Sequence, residues 1–365
     1  MLFKEFKPVT KQEWLEKVTK DLKGKKSIDS FNWQVEDMEF TPFYHSEDAI
    51  NATPIVDGRS DNTWEIGERI VIQNEDYAAA NQQAVDALMK GANALLFVVD
   101  KSPNSTELTT LLENIQLEWI STHFRANNSL ELAQTLVQVI EAKEQNSAKV
   151  VCSFNSPNAN CFNQLDLFKK LMAKLPKAKF LTVDLSSDND VAYNLAKAIK
   201  KGNDYMEQLS DNGFDLTKSH QQIQFVISLN DDYFPSIAKV RALKSLWQQV
   251  LSAWDSDLKL VPNIEVHLTE NAQSDDENYN KIKATTQAMS AVIGGANRLY
   301  VYPSDSFKNE NGTMFSRRIA LNVQHLLQQE SYLDRVIDAS AGSYFIENLT
   351  EKIAEKAWAI FQNEF

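Results

Sequence analysis

Cysteine, glycine and proline are all scarce in this chain, whose 365 residues include 2 Cys, 10 Gly and 9 Pro. Two thiols, Cys152 and Cys161, cannot build a disulfide framework or a cysteine-rich metal site. No glycine-rich phosphate loop follows any strand-like run. Long apolar runs are missing too, and none approaches the roughly 20 residues of a membrane helix. The first residues, Met1-Leu2-Phe3-Lys4-Glu5-Phe6-Lys7, place charges where a signal peptide keeps an unbroken apolar stretch. A reduced, cytoplasmic setting is therefore expected. Positive charge is outweighed, with 37 Lys and Arg against 50 Asp and Glu and a net charge of −13. Binding a nucleic-acid backbone needs a clustered positive surface, so nucleic acid is not an expected partner and the acidity speaks mainly of solubility.

What is present is enough apolar residue, 43%, to bury a large core as one barrel or two smaller domains. From Trp64 onward short β-rich runs alternate with amphipathic helices. The runs are Arg69 to Gln73, Ala94 to Val99, Leu117 to Phe124, Lys149 to Phe154, Phe180 to Leu185, Gln222 to Leu229, Asn263 to Thr269 and Arg298 to Pro303. Eight strands, each followed by a helical pattern, predict an α/β fold of the (β/α)8 TIM-barrel type over 46–347. An open doubly wound sheet shares the alternation, but usually carries a phosphate fingerprint that is missing here. Asn104 with Glu107, Asn128 with Glu131 and Ser274 with Glu277 predict helix starts. In the sixth helix Val240, Leu243, Trp247, Val250 and Trp254 form one apolar stripe.

Residues 1–45 read as an amino-terminal arm. Thr10 with Glu13 predicts a capping box, Trp14, Val18 and Leu22 share a helix face, and Gly24 can end that helix. An extended stretch with Phe31, Trp33, Phe40, Phe43 and Tyr44 follows. These rings need a surface to lie against, and with Trp14 they are expected to contact a partner subunit rather than only the chain's own body. A closing helix over 348–365 is predicted from Asn348 with Glu351, presenting Ile353, Trp358 and Phe361. It reaches Phe365 without a terminating Gly or Pro, so a longer natural chain is the expectation.

Three segments together carry a resemblance. They are Gly294-Gly295-Ala296, then Arg318-Ile319-Ala320-Leu321-Asn322 running into Leu326 to Leu333, then Asp338-Ala339-Ser340-Ala341-Gly342-Ser343-Tyr344-Phe345-Ile346-Glu347-Asn348-Leu349-Thr350. Phe234 with Ile237-Ala238-Lys239-Val240-Arg241-Ala242 and Leu246-Trp247 adds a fourth. In order and spacing they resemble the substrate barrel of the methylmalonyl-CoA mutase family, although Ala339, Ser340 and Ala341 depart from that family's Asp-Pro-Ala-Gly-Gly pattern. The resemblance implies adenosylcobalamin-dependent interconversion of methylmalonyl-CoA and succinyl-CoA. Catalytic members add an Asp-x-His-x-x-Gly domain for the cobalt, and none of His45, His123, His220, His267 or His325 stands in that motif.

Catalytic barrels of the family also read Trp-x-Ile-Arg-x-Tyr at the first strand, where this chain reads Trp64-Glu65-Ile66-Gly67-Glu68-Arg69. Gly67 thus replaces the Arg and Arg69 the Tyr. Their fifth-strand His is absent from the stretch Phe180 to Asp190. The resemblance therefore implies a non-catalytic small subunit, beside a catalytic large subunit that holds adenosylcobalamin, with no cofactor on this chain.

Independently, Gln222, Gln224 and Ser228 alternate with apolar residues on the sixth strand, as do Glu265 and His267 on the seventh. If the apolar set faces the helices, this polar set faces the barrel axis. There it either retains acyl-CoA binding or pairs with itself in a closed interior. An unpartnered Glu265 would have a raised pKa. Two other readings stay open: a stand-alone acyl-CoA-binding barrel, and a different acid/base enzyme using Glu265 and His267 with Asp184 or Asp305 at strand ends.

Overall fold

A computed structural model describes residues 7–48, 59–156, 161–185, 190–268 and 272–365. Eight parallel strands form its centre: β3 (Glu65–Val71), β4 (Ala94–Val98), β5 (Ser121–Arg125), β6 (Val151–Asn155), β7 (Leu181–Leu185), β8 (Ile223–Leu229), β9 (Ile264–Leu268) and β10 (Arg298–Tyr300). Their order, β6-β5-β4-β3-β10-β9-β8-β7, joins the first strand of this sheet to the last. The remaining seam, between β6 and β7, is bridged at Ser153 and Lys179, where Phe154 N–H donates to Lys179 O (2.9 Å) and Lys179 N–H to Cys152 O (3.0 Å). The result is a nearly closed (β/α)8 barrel.

Helices surround it: α2 (Tyr77–Met89), α3 (Ser105–Leu111), α4 (Ser129–Ala142), α5 (Leu165–Lys174), α6 (Val191–Asp211), α7 (Leu216–Gln221), α8 (Tyr233–Trp254), α9 (Glu277–Ile293) and α10 (Met314–Gln329). The main apolar core lies between strands and helices, because every second strand residue points outward into it. Phe97, Phe124 and Phe154 are register partners across β4, β5 and β6, and with Phe180 they form an outer stack with ring spacings of 5.8, 5.8 and 5.2 Å. The stripe of α8 is buried from Val240 to Val250, while Trp254 is half-buried.

Several predicted boundaries move. The first strand starts at Glu65 instead of Arg69, and the third at Ser121, because Leu117 to Ile120 form a turn whose Leu117 N–H is taken by the Gln145 side chain (3.0 Å). Thr269, placed in the seventh strand, and Ser186 to Asn189, placed after the fifth, lie outside the described residues. Asn104 makes the predicted capping box and Asn128 caps the Glu131 N–H. Ser274 does not cap α9; Asp276 does, while Ser274 bonds to Asn280. The closing helix, α11 (Tyr344–Glu364), begins before Asn348, whose side chain donates to the Tyr344 carbonyl (2.9 Å) inside the first turns.

The arm starts with α1 (Lys11–Leu22), opened by the Thr10–Glu13 box and ended by left-handed Lys23 and Gly24. A hairpin of β1 (Trp33–Val35) and β2 (Met38–Phe40) follows and lies on α11. Trp33 stacks on Phe345 at 4.9 Å, Tyr44 meets the same ring edge-on at 6.3 Å, and Phe40 is 1% exposed. The aromatic set expected at a partner is thus divided. Trp33, Phe40 and Tyr44 lie against the chain's own rings, whereas Phe31 and Phe43 are exposed and Trp14 packs edge-on to Phe43 at 5.0 Å.

Candidate functional site

The inward face of the barrel is polar along much of its length. Since Ile264, Val266 and Leu268 belong to the outer core, Glu265 and His267 must face the axis, and β8 likewise turns Gln224 inward. Gln224 donates to Thr182 Oγ1 on β7 (3.0 Å). His267 Nε2 meets Glu265 Oε1 at 2.7 Å, and its Nδ1 meets the Tyr302 hydroxyl at 3.1 Å. A carboxylate only accepts, so Nε2 carries the proton, and in the neutral ring Nδ1 accepts from Tyr302.

On the neighbouring strand β10, Arg298 donates through Nη1 to Glu265 Oε2 and through Nε to Glu65 Oε2, its register partners on either side, both at 2.6 Å. Glu65 lies 3.8 Å from His123 Nε2, and His123 Nδ1 meets Ser153 Oγ at 2.7 Å. The polar string thus runs from Tyr302 beyond the end of β10 through β9 and back across β10 to β3, β5 and β6. Arg69 covers the Tyr302 ring at 5.1 Å. Beside them Gly67, Glu68, Pro303, Glu310 and Arg317 help line a small cleft with room for about one water molecule.

Charges in this interior are set by pairing. Burial would raise the Glu265 carboxyl, but the His267 hydrogen bond and the Arg298 charge outweigh it and hold the pKa well below the carboxylate range. Burial works against Arg298 as well, yet Glu65 and its neighbours keep it firmly charged. His123 is pushed well below its ordinary value by burial and by Arg298. Lys179, at the seam, falls to about 8 for the same two reasons.

Of the residues singled out from sequence, Gln224, Glu265 and His267 join the interior. Gln222, just before β8, is buried with its side-chain oxygen unpartnered, and the Ser228 carbonyl accepts from Lys239 Nζ (3.1 Å). Gly67 and Arg69 face the axis from β3, as their alternation with the outer-core residues Ile66 and Ile70 requires. Asp184 lies near Arg125 (3.5 Å) and Asn155 (3.4 Å), away from Glu265. Asp305 accepts from Thr313 N–H (3.1 Å) and from the Ser316 hydroxyl, which ties it to the start of α10. These bonds do not bring either carboxylate to the Glu265–His267 pair. Sequence reasoning missed Glu65, His123, Arg298, Tyr300 and Tyr302, although the spacing of Arg298, Tyr300 and Tyr302 carries the same period-two signal as Glu265 and His267.

The segments that carried the family resemblance turn out to hold the scaffold together. Arg241 on α8 bonds to Asp338 (2.9 Å), Glu347 (2.9 Å) and Thr350 (3.0 Å), so the sixth helix is locked to the closing segment. Lys244 Nζ donates to Gly295 O (2.7 Å), and a Cβ at Gly295 would lie 2.1 Å from that nitrogen, at φ +84°. Burial brings Lys244 down to about 7 and Lys239 to about 8.

The histidines are all engaged. His45 meets Val9 O, His220 meets Val261 O and accepts from Trp247, and His325 meets Lys90 O. Among the described residues there is no cluster of three or more His, Cys, Asp or Glu able to hold a metal, and no helix is long and apolar enough to cross a membrane.

Comparison with known proteins agrees with the motifs. Residues 185–363 match the family model for methylmalonyl-CoA mutase. A methylmalonyl-CoA mutase small subunit of Porphyromonas gingivalis is 31% identical over 400 residues, covering 99% of this chain and 63% of that protein. The protein of the same name from Streptomyces virginiae is 25% identical, with 98% and 64% covered, and that from Propionibacterium freudenreichii subsp. shermanii is 24% identical, with 90% and 56% covered. The chain thus spans less than two thirds of the length of these relatives. By its motifs, its barrel and these matches, the chain belongs to the methylmalonyl-CoA mutase family.

Proposed function

We propose that this chain is the barrel of a mutase small subunit, a structural partner of a catalytic large subunit in the adenosylcobalamin-dependent interconversion of methylmalonyl-CoA and succinyl-CoA. One observation carries the non-catalytic part of this reading. The axial groups are committed to one another, Glu265 to His267 and Arg298, and Arg298 to Glu65. A channel for a long acyl-CoA needs that space and those donors. Gly67 and Arg69 stand at the two first-strand positions where catalytic members carry Arg and Tyr, which points the same way.

The residues present do not suit cobalamin, since none of the five histidines stands in an Asp-x-His-x-x-Gly motif and the axial His267 is held on both nitrogens. The cofactor accordingly belongs to the large subunit. Phe31 and Phe43, exposed on the arm, are the contacts we assign to that partner, because exposed aromatic anchors commonly dominate association. The setting is cytoplasmic in this reading. Co-expression with a cobalamin-carrying large subunit tests it: a stable complex that isomerises substrate supports the proposal, and separate elution of the two chains contradicts it.

A further inference from the structure

Gly67 is out of place on a β-strand by every local criterion. It lies inside β3, its φ is not positive, and glycine weakens strand interiors. Its neighbour across the ladder explains it. A Cβ at Gly67 would lie 2.4 and 2.6 Å from two ring carbons of Tyr300 and 2.8 Å from the Leu299 carbonyl. Register pairs Tyr300 with Gly67 on one side and His267 on the other. The Tyr300 ring stacks on the His267 imidazole at 5.0 Å and is fully buried.

The hydroxyl tells what the position uses. It is buried without a hydrogen-bond partner in the protein, and burial beside Glu265 drives its pKa well above that of a free phenol. Nothing is gained from such a group, so the ring is retained for its volume and shape. The walls around it are held by other bonds: His267 by Glu265 and Tyr302, and Gly67 by the parallel ladder. Removing the side chain would therefore leave a slot rather than a collapse.

We propose that Tyr300 is a built-in occupant of the barrel axis, filling, between Gly67 and His267, a site shaped for a flat phenol-sized aromatic ligand. The inference does not depend on the small-subunit reading, since it concerns only what fills the axis. It makes the filling of this one stretch of the axis depend on a single side chain and its glycine partner, and it predicts that the site can be unmasked.

The test uses Tyr300→Ala and Tyr300→Phe with p-cresol, which reproduces the missing side chain. Tyr300→Phe should melt at or above the wild-type temperature. Tyr300→Ala should melt several degrees lower, regain part of that loss with millimolar p-cresol, and bind it at least about tenfold more tightly than wild type by calorimetry. If Tyr300→Ala does not fold alone, refolding it in millimolar p-cresol takes its place, and a cooperative melting transition should return only with the phenol. A folded small variant that ignores the phenol, an equal response from the wild type, or a Tyr300→Phe loss as large as that of Tyr300→Ala would each overturn the proposal.

Discussion

Glu265 is 2% exposed and still an anion, which is possible only because Arg298 and His267 meet both its oxygens. Replacing Arg298 with Met should leave that charge uncompensated and cost about 3–5 kcal/mol in urea unfolding. The pair was half legible in the sequence. Alternation put Glu265 and His267 inward, but Arg298 sits 33 residues away, and only strand register brings it opposite Glu265.

Burial brings the His220 pKa to about 4, outweighing the bond its Nε2 donates to Val261 O, which favours the protonated ring, while Nδ1 accepts from Trp247 (3.1 Å). Unfolded histidine titrates near about 6.5, so between those values the unfolded chain binds the extra proton and stability falls as pH drops. His123 acts in the same direction, while Glu68, raised to about 7 by burial, opposes both above the usual carboxylate range. The urea midpoint should decline from pH 6.5 toward pH 4, less steeply in His220→Gln. An unchanged slope in that variant would discount His220 as the cause.

At the level of elements, the sequence marked eight strands and their order because apolar residues recur with period two between helical stripes. Ends were less legible. Leu117 to Ile120 are apolar enough for a strand, yet a side-chain amide from Gln145 turns them, a contact that no local pattern announces. The closing helix was likewise placed too late, because Asn348 and Glu351 imitate a start that Ser343 provides.

Arg241 gives the element-scale prediction. With Asp338, Glu347 and Thr350 as partners, Arg241→Met should cost about 3–5 kcal/mol by stranding the buried Glu347 and the partly buried Asp338 beside α8. The arm gives another. Deleting residues 1–45 should lower the melting temperature, since Phe40 and Trp33 cover α11 and Lys356 pairs with Asp37. Phe31→Ala and Phe43→Ala, at exposed rings, should instead leave melting unchanged and weaken co-purification with a large subunit. Undiminished association in the double variant would move the partner contact elsewhere.

As a whole, the molecule is a mutase-family barrel whose scaffold motifs are kept and whose described axial residues bond to one another. Two groups of residues divide these roles: Arg241, Lys244 and Gly295 hold the family architecture, while Gly67, Tyr300 and the Glu65–Arg298–Glu265–His267 string occupy the interior. The first group was legible as motifs in fixed order. The second was only partly so, because its members come from β3, β9 and β10 and meet only when the barrel closes.

Calorimetric titration of the purified chain with CoA and a short acyl-CoA decides whether the barrel axis admits a ligand. With the axis closed by its own side chains, the heat should equal dilution up to millimolar ligand. A saturable isotherm with one site per chain would contradict the account, because a ligand would then enter where Tyr300, His267 and Arg298 are held to fill the barrel.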